Sequence, residues 1–172
     1  MRTIASMVGR ELHWTQPSVF RRKYELRADD IVVARLEWVK FFGMAARAES
    51  ADGCWLFDRV GMWSPKIVVR TCAEETPIVT FVEKWFGKKQ PVVLPSGETL
   101  TVKSGFLGWT LTLDTSTGEL LVQMKRHSFF SRAYDVELRR RGASYQEFPW
   151  LVMLVWYLGV LARRRQARAT AG

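Results

Sequence analysis

The residues able to do chemistry in this chain are few and badly spaced for it. Cys54 and Cys72 are its only cysteines and form no CxxC pair, while His13 and His127 stand alone in sequence. A zinc site of the common Cys/His spacings is therefore not expected. Asp52 and Asp58 flank a hairpin and can be read as a metal pair, but a turn aspartate and a solvated strand aspartate describe them better. His127 beside Ser128 reads most simply as a loop residue. The chain has no GxSxG, no P-loop, no GxGxxG between a strand and a helix, and no HExxH. No enzyme activity, metal or cofactor is expected.

Cationic side chains are better candidates. Lys66, Arg70, Lys84, Lys88, Lys89, Lys103, Lys125 and Arg126 fall on outward strand positions or in turns. Their plainest reading is that they solubilise strand faces and blunt sheet edges. The functional reading is an anionic ligand. Arg163, Arg164, Arg165 and Arg168 crowd the end of the chain with no acid among them, which adds attraction to an acidic membrane surface. The formal net charge of +9 permits a lipid headgroup or a nucleic acid as partner without demanding either.

The elements that must carry these side chains show period two. Val32, Ala34, Leu36 and Trp38 alternate with Arg35 and Glu37, as in a half-buried strand. Met44, Ala46 and Ala48 repeat the pattern with small residues, leaving room for something bulky opposite. Ala51-Asp52-Gly53 is a hairpin turn, because Asp-Gly readily takes positive φ. Further strands are expected over Cys54–Val60, Lys66–Thr71, Pro77–Trp85, Pro91–Leu94, Thr99–Ser104, Leu107–Asp114, Glu119–Met124 and Ala133–Arg139. About twelve short strands, evenly spaced and without a helical period before Tyr145, mean a sandwich or barrel of hairpins.

With 172 residues, 48% of them hydrophobic, the chain suits one domain with a large core. That domain is expected over residues 1–162. Two lone cysteines fit buried thiols in a reducing compartment. If Gly61 centres its hairpin, Cys54 lies opposite a residue near Val68 and not Cys72, a second reason to expect no disulfide. The N-terminal run is too short and too weakly apolar for a secretory signal, so the expected location is cytoplasmic.

Phe148 to Ala162 contains no charge. A helix apolar on every side belongs inside a protein or inside a bilayer. Pro149 suits the first helical turn, and Ser144 to Glu147 matches a capping box just upstream. The helix is expected over about 148–164, with a basic flexible tail over 165–172. The uncharged run of about fifteen residues spans roughly 22 Å, short of a bilayer core of about 30 Å. Meanwhile a barrel of about twelve strands is too wide for its own side chains to fill. A captive helix satisfies both, although the flanking arginines also suit the cytoplasmic side of a tail anchor.

Strands throughout, followed by one very hydrophobic C-terminal helix, resemble the tubby-like β-barrel superfamily, which includes tubby C-terminal domains, phospholipid scramblases and LURP-one-related proteins. The likeness runs from about Arg22 to Ala162. It rests on the Ala51-to-Phe57 hairpin, on Leu94-Pro95-Ser96-Gly97 and on Pro149 to Leu161, which are patterns and not signature motifs. It implies a closed antiparallel barrel of twelve strands around the C-terminal helix. It also implies a non-enzymatic module whose basic surface binds anionic lipid headgroups. No individual lipid-contacting residue carries over, and no acidic loop of EF-hand spacing supports calcium binding. A monomer at an anionic membrane surface is expected. A tail-anchored protein with a cytoplasmic β domain and a nucleic-acid-binding barrel are the alternatives, the nucleic acid being the less favoured partner.

Overall fold

A computed structural model describes residues 1–17, 22–39, 43–84, 89–128 and 130–172. The strands are β1 (Leu12–Thr15), β2 (Lys23–Ala28), β3 (Ile31–Trp38), β4 (Ala46–Ser50), β5 (Gly53–Val60), β6 (Lys66–Thr71), β7 (Val79–Val82), β8 (Lys89–Val93), β9 (Thr99–Ser104), β10 (Thr110–Thr115), β11 (Leu120–Arg126) and β12 (Tyr134–Leu138), followed by one long helix, α1 (Phe148–Ala171). The twelve strands form one antiparallel sheet in the order β7-β6-β5-β4-β3-β2-β1-β12-β11-β10-β9-β8. Each strand pairs with its neighbours in sequence except β7 with β8, and β12 closes back on β1 through Leu12↔Val136 and Trp14↔Tyr134. The result is a nearly closed barrel, as the sequence pattern predicts.

The seam lies between β7 and β8, the two ends of the strand order. Gln90, fully buried, bridges it with its side chain. Its amide donates to the carbonyls of Val82 (3.0 Å) and Pro91 (2.9 Å), and its carbonyl accepts the Lys84 N–H (2.6 Å). Pro91 suits such an edge, since a proline has no N–H to offer a ladder.

Period two places Leu12, Trp14, Leu36, Trp38, Ala46, Ala48, Phe57, Ile67 and Val69 inside. Two β-bulges shift the phase, one in β3 and one in β11. Between β2 and β3, Leu26 pairs with Ala34 but Arg27 with Val32, so Val33 is the extra residue and joins the core. The strict alternation expected from Val32 therefore fails at the start of β3, where Val33 is buried and Val32 only half-buried. Leu107 departs too: a 3-10 turn at Phe106–Gly108 precedes β10 and leaves Leu107 exposed, with φ at 51°.

Helix α1 fills the barrel. Every side chain from Trp150 to Leu161 is buried, as an all-apolar helix requires. Trp156 stacks on Trp14 with ring centres 5.1 Å apart and planes 4° from parallel, and the edges of Tyr24 and Tyr134 close around it. Tyr157 packs between Trp38 and Phe57 and donates its hydroxyl to the Met44 carbonyl at 2.7 Å. Burial pushes that phenol far above its usual range. Small residues admit the helix: Ala46 and Ala48 are completely buried, and a Cβ on Gly159 would stand 2.3 Å from a Leu111 methyl.

Three expectations need correction. The helix starts at Phe148 with no side-chain cap on it, and Ser144 lies in a separate 3-10 turn, so no capping box forms. The helix also continues to Ala171, through the segment read as a flexible tail from residue 165. Finally, Cys54 and Cys72 are joined in a disulfide with Cα atoms 5.4 Å apart. The β5–β6 loop is longer than a turn on Gly61: Val60 pairs with Lys66 and Trp55 with Thr71. That register puts Cys72, not Val68, beside Cys54, and the Cys72 N–H donates to the Cys54 carbonyl.

Candidate functional site at the helix-exit rim

Because consecutive strands alternate in direction, the β1–β2, β3–β4, β5–β6, β7–β8, β9–β10 and β11–β12 loops all lie at one end of the barrel. Helix α1 enters at the opposite end, after β12, and leaves here: Arg163 reaches Tyr134 and Gly108, Arg164 reaches Trp38, and Arg165 reaches Glu83.

The two ends differ in chemistry. Turns at the entry end carry Asp29-Asp30, Asp52, Glu74-Glu75 and Glu98. Loops at the exit rim carry exposed apolar side chains: Val39, Met62, Trp63, Phe106, Leu107 and Phe130. Trp63 is 97% exposed, Phe130 91% and Met62 85%. Large apolar residues so exposed, gathered on one face and edged with cations, mark an interaction surface. Residues 18–21, 40–42 and 85–88 lie outside the described residues.

The arginines of the rim are held mainly by aromatic rings. Arg163 lies 4.7 Å over the Tyr134 ring and 4.6 Å over the Trp156 ring, and Arg164 lies 3.8 Å over the Trp38 ring. Burial pulls the Arg164 guanidinium below its ordinary range. Arg126 sits 5.6 Å over Trp109 and donates from Nε to the Ser131 carbonyl at 2.9 Å. Such cation–π contacts orient a guanidinium without neutralising it. Glu83 is the exception: its buried carboxylate accepts from Arg59 at 2.5 Å and from Arg165 at 2.9 Å. It is the one acid among the described residues of the exit-rim loops.

The cations expected from the sequence are only partly gathered. Lys66 opens β6, Lys84 follows β7, Lys89 opens β8, and Lys103, Lys125 and Arg126 lie in the exit-rim halves of their strands. Lys103 is paired with Asp114. Arg70 lies toward the entry end, across from Leu56. Lys88 falls outside the described residues. The expectation missed the exposed loop tips, and it read Arg163 to Arg165 only as a general attraction to an acidic membrane surface. The signal of the tips was present as paired apolar residues in alternate loops, but it becomes visible only once the strands are counted off in order.

A second feature lies on the outer wall. The register that sets His13 opposite Asp135 brings His127 to the same carboxylate, with ring nitrogens 2.8 Å and 3.1 Å from its oxygens. They line a groove of about 470 Å³ with Arg10, Lys125 and Glu137. Among the described residues no group of three or more His, Cys, Asp or Glu is arranged to hold a metal ion.

Among the described residues no helix is long and apolar enough to cross a membrane; the segment weighed as a tail anchor is the core of the barrel, with Trp150 and Trp156 both buried. Comparison with protein-family models, with curated proteins and with solved structures finds no match.

Proposed function

We propose that this protein is a non-enzymatic, tubby-like barrel that docks by its helix-exit rim onto membranes bearing anionic lipids. The observation that carries the reading is the coincidence, on one end only, of exposed Met62, Trp63, Phe106, Leu107 and Phe130 with Arg126, Arg163 and Arg164. Apolar tips entering the acyl boundary contribute up to about 1.5–3 kcal/mol each when fully buried. Each arginine close to an acidic surface adds about 1 kcal/mol. A rim combining several of both suits reversible docking, and tryptophan and arginine are at home at the lipid–water boundary. Aromatics beside cations also suit single-stranded nucleic acid. Here, however, the apolar tips include the aliphatic Val39, Met62 and Leu107, which give bases nothing to stack on.

The test is co-sedimentation of the full chain with vesicles of phosphatidylcholine alone or mixed with phosphatidylserine. Binding is expected only to the mixed vesicles and should weaken with salt. Replacing Trp63→Ser and Phe130→Ser together should weaken it about tenfold or more. Val93→Ser, an exposed position at the entry end, should not. Indifference to the acidic lipid, or equal loss with both sets of substitutions, overturns the reading. Binding to single-stranded RNA with none to vesicles replaces the lipid by a nucleic acid.

A further inference from the structure

Between the ends of β1, β2 and β12 and the emerging helix lies a pocket of about 200 Å³. Three guanidiniums, from Arg126, Arg132 and Arg163, line it together with the neutral Gln16, Tyr24 and Ser131, and no carboxylate is among the described residues of its wall. Proteins seldom gather three arginines without an acid, because like charges repel and each prefers a partner.

Arg163 states the problem most sharply. Its Nη1 is completely buried and has no hydrogen-bond partner among the described residues, although buried donors are nearly always satisfied. Its position is fixed from behind by the Tyr134 and Trp156 rings. Tyr134 is fixed in turn, since its hydroxyl donates to the Gly108 carbonyl at 2.9 Å. Among the described residues Arg126 donates a hydrogen bond only from its Nε. Ser131 Oγ accepts the Ala133 N–H at 3.0 Å, which leaves its own O–H to donate outward. Two residues along the helix, Arg165 shows the other solution, a buried ion pair with Glu83. At the pocket no described residue supplies the matching negative charge.

We infer that this pocket is a binding site for one phosphate group, held by Arg126, Arg132 and Arg163 and by the Ser131 hydroxyl. Its volume lies below the roughly 300–1,000 Å³ of sites that enclose whole small molecules, so the phosphate is bound and the rest of its carrier lies outside. The guanidinium forks supply paired N–H donors for the phosphate oxygens. Two sources share this chemistry, the phosphate of a lipid headgroup and a free phosphate; the first rests on the docking proposed above, the second does not.

The experiment compares the full chain with Arg132→Gln and with Ser131→Ala, Arg132 being exposed and therefore safe for the fold. Titration with inorganic phosphate, against chloride at equal ionic strength, is followed by calorimetry. Vesicle binding is measured with phosphatidic acid and with phosphatidylserine, which carry different phosphate esters. Phosphate should bind the parent chain and bind Arg132→Gln at least tenfold more weakly. If the same substitution also removes the preference for phosphatidic acid vesicles, the site takes the lipid phosphate. If vesicle binding is untouched while phosphate binding falls, the site stands and takes a free phosphate. No heat of phosphate binding, with vesicle binding insensitive to Arg132→Gln and Ser131→Ala, overturns the site. In that case the rim reading survives if Trp63→Ser with Phe130→Ser still detaches the protein.

Discussion

Asp135 shows how much depends on single contacts that register alone creates. Burial by itself would raise its pKa, but hydrogen bonds from His127 and His13, helped by their charge, outweigh that and hold the carboxyl below its ordinary value of 3.8. A depressed folded-state pKa means stability that is complete above the unfolded value and lost as the pH falls through the folded one. All three side chains are more than a third exposed, so the contribution is that of a surface ion pair, about 0.5 kcal/mol. Asp135→Asn should therefore unfold at slightly lower urea than the parent at neutral pH, and the two curves should converge below pH 3.8. A gap that persists unchanged into strong acid would show that the carboxylate charge is not what stabilises. None of this was legible beforehand. His13 and His127 are far apart in sequence, and only the β1–β12 and β11–β12 registers bring them to one carboxylate.

At the scale of elements, period two was the reliable signal and loop length the unreliable one. Tyr134, Val136 and Leu138 face the core as their alternation predicts, because a strand with one buried face has no other way to hide them. The β5–β6 hairpin defeated the same reasoning: Gly61 looks like its centre, but the loop runs on through Pro65 and the register moves with it. The disulfide follows from that shift. Closing the loop between Cys54 and Cys72, which are 18 positions apart, should contribute about 3 kcal/mol by restricting the unfolded chain. Cys54→Ser with Cys72→Ser, or reduction of the parent, is expected to lower the unfolding free energy by that order without changing the fold. Intact-mass measurement before and after alkylation checks the bond itself. Two free thiols in the native protein would restore the reducing-compartment reading.

For the whole molecule, the barrel and its helix share one continuous core, and this was readable because α1 is apolar on every side while Ala46 and Ala48 on the wall and Gly159 on the helix permit close packing. The polarity between the two ends was not readable strand by strand, since it belongs to alternate loops that only the topology collects. The helix supplies a continuous set of fully buried side chains from Leu151 to Leu158, each contributing about 1.5–3 kcal/mol on burial. That sum, about 12–24 kcal/mol, is as large as or larger than the roughly 5–15 kcal/mol by which a domain is usually stable. Truncation after Glu147 should therefore leave no folded β domain: no cooperative thermal transition, and no near-ultraviolet signal from Trp14, which loses its partner Trp156. Truncation after Gln166 removes only exposed residues and should keep both signals, because the Arg165–Glu83 pair is retained. The two truncated chains share every strand, so any difference between them belongs to the helix. A folded, soluble 1–147 fragment would mean that the strands can close without the helix, and would return α1 to the role of an anchor that the barrel merely shelters.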